Sequence, residues 1–151
     1  MGEICIDARA KELIFPISNI KTKQHIHNIR LENGRKLFIE SNDKSGNLKL
    51  LLSTGEMETY FLQPYYEKHF NKFANENMIL QNKGSNVQNI DDVLRVPDIK
   101  LCYVGHDVKL SNARIEKNEN RYGIDGVLGM DFINRFNRAT LYFNNMSISM
   151  D

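Results

Sequence analysis

Leu50-Leu51-Leu52-Ser53-Thr54-Gly55-Glu56 is an apolar run that stops abruptly in small and polar residues, and Thr59-Tyr60-Phe61-Leu62 resumes the apolar pattern after it. The apolar residues from Leu48 to Leu52 predict a strand, and the residues that follow predict a tight loop delivered by its end. A second decisive stretch lies far downstream. Asp125-Gly126-Val127-Leu128-Gly129-Met130-Asp131-Phe132-Ile133 reads as a short apolar segment running into a short helix near 130–136.

Outward from these stretches the dominant period is two, in short runs set between turn signals, which predicts an all-β fold. Ile4-Cys5-Ile6 breaks at Asp7 to Lys11 and resumes as Leu13-Ile14-Phe15 before Pro16, a hairpin pattern. Ile26 to Leu31 and Lys36 to Ile39 flank Asn33-Gly34, a pair that takes the positive φ angles of a tight turn. Strands are expected again at Ile99 to Val104, Asp107 to Leu110 and Ala113 to Lys117, with Gly105-His106 turning between the first two. Ala139 to Phe143 and Met146 to Met150 close the chain as a hairpin over Asn144-Asn145. One helix is expected near 64–74, where Pro64 suits a first turn and Tyr65, His69, Phe70 and Phe73 recur at helical spacing. The polar stretch from Asn82 to Asp92, which contains Lys83, Gly84, Ser85 and Asn86, is a candidate flap. Residues 1–25 read as an N-terminal hairpin or extension and residues 26–151 as the main lobe; the echo of the first hairpin in the last has two readings, two ordinary hairpins or the end of a preceding, similar lobe.

Composition bounds the function. The chain has 151 residues, 41% of them hydrophobic and 26% charged, which fits one globular core. A net charge of +1 provides no field for nucleic acid or an anionic membrane surface. No stretch approaches the roughly 18 apolar residues that span a bilayer. The expected protein is therefore soluble, and a location outside the cytoplasm stays open if a signal peptide has been removed. Cys5 and Cys102 carry no metal pattern; they are read either as one disulfide or as buried small side chains.

The two decisive stretches together resemble the retropepsin-like aspartic peptidases, single-lobe relatives of pepsin. Leu50 to Glu56 with Thr59 to Leu62 is similar to the family's apolar strand, its Asp-Thr-Gly-Ala or Asp-Ser-Gly loop and the strand after it. Asp125 to Ile133 looks like the family's late apolar pair and glycine leading into a short helix. The resemblance implies a closed-barrel lobe in which Thr54 bonds across a lobe interface, Gly55 lets the loop turn, and Gly129 passes close behind that loop.

This chain departs from the family at the catalytic position. Where the family has its aspartate, Ser53 stands here, and Glu56 replaces the small residue after the glycine. In the family two aspartates, one from each lobe or chain, share a proton and bind the attacking water, because two adjacent carboxyls do not both ionise. A serine hydroxyl accepts no proton at ordinary pH, so a symmetric pair of these lobes would hold no base. Asp131 is read as a helix-start residue accepting backbone hydrogen bonds rather than as a replacement acid.

Other candidates are weaker. Ser53 lacks the Gly-x-Ser-x-Gly elbow of a serine hydrolase, since Leu51 stands two before it. His25 and His27 share a strand face but have no accompanying Cys or carboxylate cluster, which reads as a solvated face and gives no metal site. Tyr60, Phe61, Tyr65, Tyr66, Phe70 and Phe73 are read chiefly as core and helix packing, with the lining of a peptide groove as the other role. Asn145-Met146-Ser147 fits a glycosylation acceptor.

The sequence is accordingly read as a non-catalytic, pseudo-peptidase lobe without a cofactor. It would bind extended peptide or a protein ligand under its flap, or pair as a homodimer or with another lobe. Two alternatives are kept: an active aspartic endopeptidase whose carboxylates come from another lobe or partner chain, and an unrelated β-rich adaptor.

Overall fold

A computed structural model describes residues 3–15, 27–43, 46–69, 73, 79–82, 92–103, 105–116 and 123–151. Strands dominate among the described residues, with short helices at Gln63–Lys68 and Met130–Ile133, as the period-two pattern implies. The first hairpin pairs β1 (Glu3–Asp7) with β2 (Glu12–Ile14), and the last pairs β11 (Arg138–Tyr142) with β12 (Ser147–Met150). The two lie side by side. β1 runs antiparallel to β11, with Ile4 opposite Leu141, giving a four-stranded sheet in the order β12-β11-β1-β2.

The larger sheet begins with β3 (Ile29–Glu32), β4 (Lys36–Asp43) and β5 (Gly46–Leu52) as a meander. The β3–β4 turn forms where Asn33-Gly34 predicts it: Arg35 N–H donates to Glu32 O at 3.2 Å, and the two turn residues have φ of 52° and 63°. β6 (Tyr60–Leu62), β7 (Ile79–Asn82), β8 (Asp92–Tyr103), β9 (His106–Glu116) and β10 (Gly126–Leu128) complete the eight strands, in the order β3-β4-β5-β10-β6-β9-β8-β7. A single bridge, Asn42 to Cys102, also joins β4 to β8, and Ser41 Oγ donates to Cys102 O at 2.9 Å beside it.

Three expectations change in detail. The separate strands expected at Asp107 to Leu110 and Ala113 to Lys117 are one strand through Glu116. Pro97 lacks an N–H and faces Asn112, whose φ is 59°, so the ladder skips that pair without changing register. The helix expected near 64–74 is α1 (Gln63–Lys68), capped at His69. Phe73 N–H bonds to His69 O at 3.1 Å, and the residues between them lie outside the described ones. The short helix near 130–136 is α2 (Met130–Ile133), followed by turns through Phe136. Both cysteines are free; Cys5 is buried in β1 and Cys102 is exposed on β8. The flap candidates Lys83, Gly84, Ser85 and Asn86 lie outside the described residues, although flanking β7 and β8 pair as far as Asn82 and Asp92.

The main core joins Leu48 and Leu50 of β5, Phe61 of β6, Tyr65 of α1, Val96, Ile99 and Leu101 of β8, Leu110 and Ile115 of β9, and Phe132 of α2. Each fully buried side chain of this size contributes about 1.5–3 kcal/mol through removal from water. A second cluster of Phe38, Ile124 and Val127, with Leu51, Tyr60 and Leu62 against it, covers the opposite face of β5, β10 and β6. Apolar side chains on both faces explain why Leu50-Leu51-Leu52 is continuous rather than alternating.

Candidate functional site

β10 lies between β5 and β6, parallel to the first and antiparallel to the second. The connection 53–59 between β5 and β6 must therefore pass around the end of β10, and that crossing is the candidate site. Ser53 N–H donates to Leu128 O at 3.0 Å, extending the β5–β10 pairing by one step. Met130 N–H donates to Glu56 O at 2.8 Å and Asp131 N–H to Met57 O at 3.2 Å, which fastens the loop to the start of α2.

Gly129 makes this approach sterically feasible. A Cβ at that position would lie 2.8 Å from Glu58 C and 2.9 Å from both Glu56 O and Glu58 O. Gly126 is equally constrained, with a Cβ placed 2.7 Å from Tyr60 O. Gly55 differs: its nearest neighbour would be Ser53 Oγ at 3.8 Å, an ordinary contact.

Thr59 and Asp131 lock the crossing. Asp131 Oδ1 accepts from Thr59 N at 2.8 Å, from Thr59 Oγ1 at 2.6 Å and from Phe132 N at 2.8 Å. Thr59 Oγ1 also accepts from Gly129 N at 3.0 Å, so one hydroxyl and one carboxylate oxygen join β6, β10 and α2. This engagement accounts for Asp131 as a structural acid. Sequence reading missed Thr59, which is buried; its place within the apolar resumption was the available signal.

Asp125 was read only as part of a motif, yet it is 5% exposed and fully used. Its Oδ2 accepts from Lys49 N at 2.8 Å and its Oδ1 from Lys68 Nζ at 2.7 Å, tying β10 to β5 and α1. Neither aspartate is thus placed as a free acid at the loop tip.

Ser53 is half-buried, and Thr54 and Gly55 are exposed. Among the described residues the Ser53 hydroxyl has no protein hydrogen-bond partner, so nothing there activates it as a nucleophile. Thr54 lines a cavity of about 380 Å³ with Ile6, Leu13, Met130 and Asn134. Exposed Leu13 and Phe15 stand on and just past β2, and exposed Met57 stands on the loop of Thr54. Glu56 approaches Tyr60: burial first, then the carboxylates of Glu56 and Glu116, raise the Tyr60 phenol above its ordinary value, while Arg114 opposes the shift.

Of the histidine pair read from sequence, His27 is exposed and His25 lies outside the described residues. Among the described residues no helix is long and apolar enough to cross a membrane.

No protein-family model matches the chain, and no curated protein matches it either. Solved structures do. The retroviral protease-like domain of Ddi1 from Leishmania major is similar to it with a TM-score of 0.55 at 9% identity, over 77% of this chain and 90% of that one. A retropepsin-like aspartic protease from Rickettsia conorii aligns over 72% of this chain and 77% of its own, at 14% identity and a TM-score of 0.47. At 9% identity the first likeness speaks for architecture alone, and with the loop crossing and glycine cradle above it identifies the chain as having a retropepsin-like fold.

Proposed function

We propose that this chain is a non-catalytic, pseudo-peptidase lobe that binds extended peptide. The observation that carries the reading is Ser53 at the tip of an otherwise intact loop crossing, with Asp125 and Asp131 both committed to structural hydrogen bonds. A peptidase of this fold needs two carboxyls sharing one proton, and a serine supplies neither the base nor the acid. Extended peptide suits the lobe because backbone hydrogen bonds to a strand supply affinity without chemistry. The flap expected at residues 81–92 would belong to this reading, although 83–91 lie outside the described residues. The bridge from β4 to β8 supports a barrel-like closure of the lobe beneath it.

A second role, pairing with another lobe or a second copy, is favoured by one observation. Exposed Leu13 lines the cavity beside Thr54, and exposed Phe15 and Met57 follow Leu13 and Thr54 in the chain, where a partner would cover them. The β1–β2 hairpin would then belong to the pairing surface.

An NMR titration with a statine-type transition-state mimic tests the peptide reading. Amide shifts along Tyr60 to Leu62 and Val127 to Leu128 are expected, and their absence at millimolar ligand would refute it. Sedimentation velocity tests pairing: self-association lost in Leu13→Lys is expected, and a monomer at every concentration argues against a second copy as the partner. Ser53→Asp separates scaffold from chemistry, with gain of cleavage expected if the missing carboxyl is the main defect.

A further inference from the structure

Beside the loop crossing, one row of side chains runs across three strands. Tyr60 of β6 is in register with Arg114 of β9, and Arg114 with Arg95 of β8. Their neighbours Phe61, Ile115, Leu94 and Val96 are all buried in the main core, so the three side chains share the opposite face. Tyr60 continues into the second apolar cluster with Phe38 and Val127. The Arg114 guanidinium lies over the Tyr60 ring at 5.0 Å.

Two arginines directly opposite one another repel, and strands normally avoid such a pair. Here both side chains are only 19% exposed, which strengthens the repulsion. A guanidinium also carries five N–H donors, and few of these are used. Arg95 donates to Asn112 O at 3.1 Å and stands 3.5 Å from Glu58 Oε2. Arg114 stands 3.0 Å from Glu116 Oε1. The Nε of each arginine is buried with no hydrogen-bond partner among the described residues. The Glu58 contact is the looser of the two ion pairs, because its side chain is 60% exposed and its separation is long.

Two partly buried guanidiniums with spare donors, one of them ion-paired only to a displaceable glutamate among the described residues, form a receptor for a planar anion. We infer that Arg95 and Arg114 form a subsite for the carboxylate of an acidic side chain in an extended peptide, which displaces Glu58 on binding. This rests on the peptide-binding reading and adds the ligand's chemical class. The row stands at the root of the β7–β8 pair, beside Tyr60, where alternate side chains of a strand bound along β6 and β9 would reach it.

Fluorescence anisotropy with labelled alternating Glu-Val, Gln-Val and Lys-Val peptides tests the inference on the purified chain. The Glu-Val peptide is expected to bind about tenfold more tightly than Gln-Val, with a preference that fades as salt rises. Arg95→Gln and Arg114→Gln should each abolish that preference. Glu58→Gln, at an exposed position, should instead tighten Glu-Val binding, an effect that a purely structural arginine pair would not produce. Equal binding of Glu-Val and Gln-Val, or unchanged affinity in Glu58→Gln, overturns the acid subsite and leaves peptide binding intact. Binding of none of the peptides overturns peptide binding itself and the subsite with it.

Discussion

A hydroxyl at position 53 sits where the resemblance calls for a carboxyl, while the residues that shape the loop around it are retained in form. Gly129 has no room for a Cβ against the backbone of Glu56 and Glu58. Gly129→Ala should therefore destabilise the fold by about 1–3 kcal/mol, read from its urea midpoint, since the neighbouring atoms are backbone and do not yield cheaply. Asp131→Ala should cost about 2 kcal/mol or more, because it strands the Thr59 amide and hydroxyl. An unchanged midpoint in either variant would contradict the account of the crossing. Gly129 and Asp131 were legible in the sequence because they lie inside a local motif. Thr59 and the double tie of Asp125 were not, because their partners lie 72 and 76 residues away in the chain.

At the scale of elements, the hairpins were legible because each is local: a period-two pattern, a turn residue and a return. The pairing between hairpins was not. Only the weak rhythm shared by the two ends pointed to a relation, and that relation is lateral, β1 against β11. Asp7 of β1 helps clasp the hairpins together. Its carboxylate accepts from Ala10 N–H at 2.9 Å and from Arg138 of β11 at 3.0 Å, and the Ala10 hydrogen bond first, then Arg138, holds its pKa below the ordinary value. A carboxyl depressed in the folded state stabilises above its unfolded pKa and loses that contribution as pH falls through the folded value. Asp7→Asn should thus be less stable than the parent at pH 6, and the difference should shrink below about pH 4. A gap that stays constant through that acid range would show that Asp7 contributes no charge-dependent clasp. The long β8–β9 pair was expected as shorter pieces, whereas the register runs straight through Pro97 and Asn112.

For the molecule as a whole, fold and function were not equally legible. The motif pair around Ser53 and Gly129 was sufficient to suggest the architecture, since a strand threaded between two others demands glycine where backbones touch. The arginine row was invisible, because it exists only through the register of β6, β9 and β8. The same long-range register buries the Tyr103 phenol and pushes its pKa above the ordinary value, in the wall of the core rather than at the site. The central claim is that this lobe keeps a peptidase scaffold without peptidase chemistry. Its most direct test is mass-spectrometric detection of cuts in a diverse unfolded-peptide pool, incubated with the purified chain from acid to neutral pH, with and without a transition-state-mimicking aspartic-peptidase inhibitor. The account predicts no inhibitor-sensitive cuts at any pH. Reproducible inhibitor-sensitive cuts that vanish in Glu56→Gln would contradict it and make the loop glutamate the acid that Ser53 cannot be.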